Sequence, residues 1–250
     1  MTAHNDRAAR LRELHRPGDP LILPNVWDAA SARVVADAGY PALATASAAI
    51  AAMLGYEDHQ NAPADEMFAA AGRVVRAAGD LPVTVDAEAG YGLPAEELVA
   101  TLAGIGAVGC NLEDSDLAAG GLRDAAAQAE YLASVREAAR ANGTDLVINA
   151  RVDVFIGKSE VTAADIDTAL DRGRRYLDAG ADSIYPILLT DETAIATLAK
   201  ELPGPINVLC LPGMEVSRLA ELGVARISWG PQAQRHAMSA LTTYVTALRP

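Results

Sequence analysis

Lysine is nearly missing from this 250-residue chain, which has only Lys158 and Lys200. Cysteine is as scarce. Cys110 and Cys210 sit in apolar runs (AVGCNL and NVLCLP) with no CxxC spacing, which argues against a disulfide scaffold and a zinc knuckle. His4, His15 and His59 lack HxxxH or HExxH spacing, so no zinc site is expected. Aromatic residues make up 4% of a chain that is 51% apolar, so its core has to come from Ala, Val, Leu and Ile. Cations are outnumbered, 20 Lys+Arg against 33 Asp+Glu, and the arginines are scattered. A formal charge of −13 without a basic cluster argues against nucleic acid or a membrane as partner. The longest apolar run, Ala42–Leu54, is rich in Ala and Ser and too short to span a bilayer. The N-terminal MTAHNDRAARLREL is charged and lacks the apolar stretch of a signal peptide. A soluble cytoplasmic protein is expected.

What the chain does have is one recurring junction: an Ala/Leu-rich helical stretch ends in Gly and a β-rich run follows. It reads DAGYPALATAS, AAGDLPVTVDAE, LAGIGAVGCNLED, ANGTDLVINARVD, DAGADSIYPIL and ELGVARISWG. Glycine past a helix end takes the left-handed conformation that stops the helix. Eight strands are predicted, at 21–24, 42–47, 82–88, 107–114, 146–153, 183–188, 206–210 and 225–229. Helical periodicity between them predicts helices over 28–38, 64–78, 95–102, 124–141 and 163–178. Eight β-then-α units in this length match a (β/α)₈ TIM barrel, a single domain over residues 1–250. A doubly wound sheet would carry a Gly-rich phosphate turn after its first strand, where this chain has PNVWDAAS. The segment 3–15 is predicted to be a helix capping the barrel's bottom. The stretch 232–248 is long enough to pack on a neighbour.

Barrel strands stay apolar until their C-terminal ends, where active-site groups project. Three adjacent strands here end in acids: VTVDAE in Asp86 and Glu88, GCNLED in Glu113 and Asp114, and INARVD in Arg151 and Asp153. Strand alternation places Asp86 with Glu88, Asn111 with Glu113, and Asn149 with Arg151 and Asp153. Carboxylates gathered so closely repel unless a dication joins them. An all-oxygen donor set favours Mg²⁺, with Mn²⁺ as a substitute. Asp114 and Asp116 taken singly read as loop or cap residues. Arg151, in an apolar strand, is either a structural ion pair with Asp153 or Glu113 or a fork for a substrate carboxylate or phosphonate. The fork is the preferred reading.

VTVDAEAGYG followed by GCNLED and INARVDVF resembles the isocitrate lyase/phosphoenolpyruvate mutase superfamily. The likeness extends through PNVWDAASARVVADAGYPAL and TASAAIAAMLGYED to RISWGPQ. The resemblance implies a barrel that binds Mg²⁺ and a 2-oxo acid or its enolate, in a homo-oligomer (dimer or tetramer) whose last helices are often exchanged between subunits. It implies Asp86 as the direct metal carboxylate, with Asp58, Glu88 and Glu113 holding the ion largely through water. Arg151 would bind the acidic group, and Thr45, Ser47 and Ala48 would meet the substrate carboxylate. Asn149 and Gly92 complete the expected substrate-binding set; Asp58, Tyr91 and Arg151 are the expected catalytic residues. The implied activity is a Mg²⁺-dependent lyase that breaks or forms a C–C bond of a small 2-oxo or 2-hydroxy (di)carboxylic acid through a metal-stabilised enolate.

The chain also departs from the pattern. The lyase branch carries a Cys-containing K-[KR]-C-G-H loop after the L-E-D strand, where this sequence has the short DSDLAAGGLRD. Ser115, Asp116, Tyr91, Tyr185 and His236 are the candidate proton carriers in its place. The later strand reads SIYPILL, with Ile187 where an acid is common in the family. The alternatives are C–P bond chemistry of the phosphonomutase or phosphonopyruvate type, a Schiff-base aldolase using Lys158, and a non-catalytic oxo-acid-binding barrel.

Overall fold

The computed structural model describes residues 2–249, along which helices and parallel strands alternate. The strands are β1 (Leu21–Leu23), β2 (Asn25–Val26), β3 (Leu43–Thr45), β4 (Val83–Asp86), β5 (Gly109–Glu113), β6 (Val147–Val152), β7 (Ser183–Pro186), β8 (Asn207–Leu209) and β9 (Arg226–Ser228). The helices are α1 (Ala3–Glu13), α2 (Ala29–Asp37), α3 (Ser47–Leu54), α4 (Ala64–Ala78), α5 (Ala95–Ile105), α6 (Ala125–Asn142), α7 (Ala163–Asp178), α8 (Glu192–Glu201), α9 (Val216–Glu221) and α10 (Gln232–Ala247). The predicted helices over 64–78 and 163–178 are found at those bounds. Helices α5 and α6 stop at Gly106 and Gly143, with φ of 83° and 71°.

Strands β2 to β7 make a six-stranded parallel sheet in chain order, and β1, β9 and β8 make a three-stranded one. Together they are the staves of the expected barrel, although no unbroken ladder runs around the ring. One break lies at Pro24, which has no N–H to donate and divides the predicted first strand into β1 and β2. The other lies between β7 and β8, joined by the bridge Ile184–Ile206. Asn25 ties the first break. Its Oδ1 accepts the N–H groups of Trp229 and Gly230, both at 2.8 Å, and its Nδ2 donates to the Thr45 carbonyl at 2.9 Å.

Helix α1 closes the bottom, as expected. Its Ala8 and Leu11 bury against Leu21, Leu23, Ala44, Val108 and Val147. Arg12 anchors it to the loops before β6 and β7, with a fork on Asp145 (2.8 Å twice) and Nε on Asp182 (2.7 Å). Two differences from the predicted elements bear on the top of the barrel. The strand expected over 42–47 ends at Thr45, and helix α3 begins at Ser47. The segment SAAIAAML is mostly strong helix formers, and as an apolar run it hides its helical period. Strand β4 ends at Asp86 rather than at Glu88, so alternation along the strand no longer governs Glu88.

Helix α10 is unlike the other helices in having no buried residue among those described. Met238, Leu241, Tyr244, Val245 and Leu248 at its end are exposed. No helix among the described residues is long and apolar enough to cross a membrane.

Candidate active site

The C-terminal ends of the strands surround a cavity of about 90 Å³. Its polar lining includes Ser47, Asp58, Asp86, Asn111 and Arg151, and Tyr185, Ile187 and Leu209 line it as well.

Asp86 is held from two sides. Its Oδ2 accepts the Ser47 N–H (3.2 Å) and hydroxyl (2.8 Å), and Asn111 Nδ2 lies 3.4 Å from Oδ1. The Thr45 hydroxyl accepts the Asp86 N–H at 2.9 Å. Helix α3 has Ala46 at its N-cap, which offers no side-chain acceptor. Asp86 therefore takes over capping from the neighbouring strand and places its charge at the positive end of the helix. With Ser47 and Ala48 lining the cavity, the first turn of that helix brings main-chain donors to its edge.

Arg151 is ion-paired, as one of its two sequence readings expects, and it also lines the cavity. Its Nε and Nη2 lie 2.7 Å from the two oxygens of Asp153, and Nη2 also lies 2.6 Å from Glu113. Nη1 takes part in none of these bonds, and Arg151 lines the cavity. The side chain is thus oriented by two buried carboxylates with one edge left for a ligand.

The expected metal carboxylates separate into two groups. Asp58 and Asp86 line the cavity, and Asp58 Oδ1 is buried without a partner. Glu88 and Glu113 lie behind that wall. Glu88 has φ of 48°; its Oε2 accepts the Gln60 N–H at 2.7 Å and its Oε1 the Tyr91 hydroxyl at 2.5 Å. Burial, with Asp86 and Asp58 adding repulsion, pushes Glu88 up to about 7. Glu113 is 2% exposed with Oε1 unpartnered, and burial lifts it to about 8 against the pull of Arg151. Among the described residues no group of three or more His, Cys, Asp or Glu side chains converges tightly enough to enclose a cation directly. The donor set does suit a hydrated dication, since Mg²⁺ keeps several waters and takes one or two carboxylates. The unpartnered Asp58 and Glu113 oxygens are the acceptors that would suit such waters.

Other expected residues stand back from the cavity wall. Thr45 positions Asp86. Asn149 is fully buried, donating to Asn111 Oδ1 at 2.8 Å and accepting the Ser183 hydroxyl at 2.6 Å. Gly92 is exposed on the loop after β4. Tyr91 bonds Glu88 and packs edge-on against Phe68 at a ring separation of 5.6 Å. Beneath that loop, Gly90 (φ 86°) lies so close to the Tyr131 hydroxyl that no side chain would fit.

The segment after β5 is a tied hairpin. Ser115 and Leu122 form an antiparallel bridge, and Asp116 accepts the Ala118 and Ala119 N–H groups as the turn residue expected of it. Asp114, read from sequence as a loop or cap residue, is instead wholly buried. It accepts from Arg172 (2.9 Å), Tyr176 (2.7 Å) and the Asp153 N–H (2.8 Å). Ser115 donates to Asp153, outside the cavity. Lys158 pairs with Asp165 at 2.9 Å and is 45% exposed, which leaves it without the desolvation a Schiff-base lysine needs. His236 lies in a separate cleft of about 550 Å³ between α10 and the first stave.

The sequence reading overlooked Arg226. It is 1% exposed inside the barrel, with Nη2 3.2 Å from Asn111 Oδ1 and with Nε and Nη1 unpartnered. Its signal was the one that marked Arg151, a cation in an apolar strand (ARISW).

Residues 11–249 match the family model of phosphoenolpyruvate phosphomutase. The chain belongs to this family. It is thereby a member of the isocitrate lyase/phosphoenolpyruvate mutase superfamily of lyases and mutases. An oxaloacetate decarboxylase of Rhodopseudomonas palustris is 31% identical over 260 residues, covering 96% of this chain and 86% of that one. The phosphoenolpyruvate phosphomutase of Streptomyces hygroscopicus is 28% identical over 254 residues, covering 96% and 79%. A solved structure from Burkholderia cenocepacia, assigned only provisionally as a phosphonomutase, is 45% identical with a TM-score of 0.93, covering 97% of this chain and all of that one.

Proposed function

We propose that this member of the phosphoenolpyruvate phosphomutase family is a Mg²⁺-dependent lyase for a small 2-oxo or 2-hydroxy acid, acting on a C–C bond through an enolate. The observation that carries the reading is the meeting of Asp86 with the N-terminus of α3 at a cavity of about 90 Å³. One face offers an acidic ligand and the other main-chain donors, which is the pairing that a 2-oxo acid beside a dication requires.

Asp86 would hold the ion directly, and Asp58, Glu88 and Glu113 would hold its waters. When bound, Mg²⁺ or Mn²⁺ supplies Lewis acidity to the substrate oxygens. The substrate carboxylate would rest on the free main-chain N–H at Ala48, since Ser47 already donates both its N–H and its hydroxyl to Asp86. Arg151, fixed by Glu113 and Asp153, turns Nη1 toward negative charge developing on the substrate, a preorganised arrangement that needs no rearrangement during reaction. C–P bond chemistry is the alternative on the same donor set, and it is favoured by the phosphomutase relatives.

Calorimetry with oxalate, which mimics a 2-oxo acid enolate, tests the reading. Mg²⁺ and oxalate are expected to bind together, each at least about tenfold tighter in the presence of the other. Purified folded protein that takes up neither would overturn the proposal.

The exposed end of α10 also fits a second copy of this chain. Met238, Leu241, Val245 and Leu248 recur at helical spacing, an apolar stripe with nothing against it in one protomer. Leu241→Glu is expected to convert an oligomer to monomer in light scattering, and a wild-type protein already monomeric at micromolar concentration would sink this part.

A further inference from the structure

Of the proton carriers offered by the sequence, Ser115, Asp116, Tyr91, Tyr185 and His236, only Tyr185 lines the cavity. It is the third residue of β7, facing inward two positions after Ser183, whose hydroxyl bonds Asn149 inside the barrel. Its register partner on β6 is Arg151, and Ser228 lines the same cavity. The ring is 5% exposed, so water reaches it only through the cavity.

Arg226 gives the second observation. A guanidinium so deeply buried carries a large desolvation cost unless negative charge is near. Among the described residues its one hydrogen bond is to an amide oxygen, and two of its nitrogens are unpartnered. Arg226 shares a face of β9 with Ser228, and both Ser228 and Arg226's partner Asn111 line the cavity that Tyr185 enters. Burial pulls Arg226 down to about 10 and pushes Tyr185 up to about 12, while Arg151 and Arg226 oppose the rise at the phenol.

We infer that Tyr185 is the acid that protonates the substrate carbon in this site, and that Arg226 is the positioning charge that stabilises the phenolate left behind. The inference rests on the 2-oxo acid reading above. In the step, the Tyr185 O–H bond breaks and a C–H bond forms at C3 of the enolate. The enolate's electron pair enters that bond, the C2 carbonyl re-forms, and the negative charge moves to the phenolate oxygen. Solvent returns the proton to Tyr185 once product leaves. The same step in reverse removes a C3 proton from a 2-oxo acid.

The test is exchange of the methyl protons of pyruvate in D₂O with Mg²⁺, followed by proton NMR beside a metal-only blank, with oxalate binding measured on the same proteins. Wild type is expected to exchange above the blank. Tyr185→Phe keeps the ring, and it is expected to slow exchange by at least about 100-fold, within the range of general acid–base catalysis. Its oxalate affinity should stay within about threefold. Arg226→Met, which leaves Tyr185 in place, should slow exchange about tenfold, and should add little in the Tyr185→Phe background because the two act as one unit. Tyr185→Phe exchanging at the wild-type rate overturns the assignment, and so does a wild type that binds oxalate yet exchanges nothing. A wild type that binds no oxalate removes the oxo-acid reading itself, and this inference with it.

Discussion

Replacing Asp86 by alanine is expected to weaken the joint uptake of Mg²⁺ and oxalate by at least about 100-fold. Two functions of the residue are lost together. The carboxylate is the proposed direct ligand of the ion, and it is also the acceptor for the Ser47 N–H and hydroxyl at the start of α3. The second loss resembles the removal of a helix cap and costs about 1 kcal/mol of stability. Asp86→Asn separates the two, because its amide oxygen still accepts from Ser47 while the charge is gone. It should unfold close to wild type and still fail to bind Mg²⁺ with oxalate. Near-normal uptake by Asp86→Asn would show that the charge at this position is not what holds the ion.

Arg151→Met should be the most destabilising single change at the site, because it strands two buried carboxylates. Glu113 and Asp153 are 2% and 3% exposed, and both lean on the guanidinium. Removing one partner of a buried ion pair costs about 3–5 kcal/mol. The sign of the pH dependence follows from Glu113, which burial already lifts to about 8 with Arg151 in place. Without that cation it takes a proton more readily, and the protonated acid is cheaper to bury. The deficit against wild type should therefore be larger at pH 9 than at pH 6, read from urea unfolding midpoints. Arg151→Lys should recover part of the stability but not oxalate affinity, since a single ammonium cannot serve both carboxylates and a ligand. A deficit that shrinks as pH rises would contradict the account.

The sequence carried the barrel and the neighbourhood of the site well, for identifiable reasons. Asp86 and Arg151 stand out because a charge at the end of an apolar strand is hard to explain by packing. Ser47 came from resemblance, and its setting was misread as strand because an Ala-rich run has no visible helical period. Glu88 was placed beside Asp86 by alternation, which lapses where β4 stops and the backbone turns to φ of 48°. Asn149 shares the inward face of Arg151 but sits one layer deeper, and period-two reasoning gives direction without depth. Asp114 looked like a loop acid because its partners, Arg172 and Tyr176, lie 58 and 62 residues away. Arg226 was legible by the rule that found Arg151, and the rule was not applied to the last strand.

The stitched rim after β5 has a chemical consequence. With Asp114 clamped beneath it and Ser115 tied to Asp153, that edge of the mouth is pinned to the barrel, and while it stays pinned the cavity is open there. Bulk protons can then compete for any carbanion formed inside. A cleavage whose product is simply quenched by hydrogen tolerates such a draughty chamber. Building a carbon–phosphorus bond does not, because the nucleophilic carbon has to outlast every encounter with water. On the proposed reading, a rim of this kind suits fragmentation better than phosphonate synthesis.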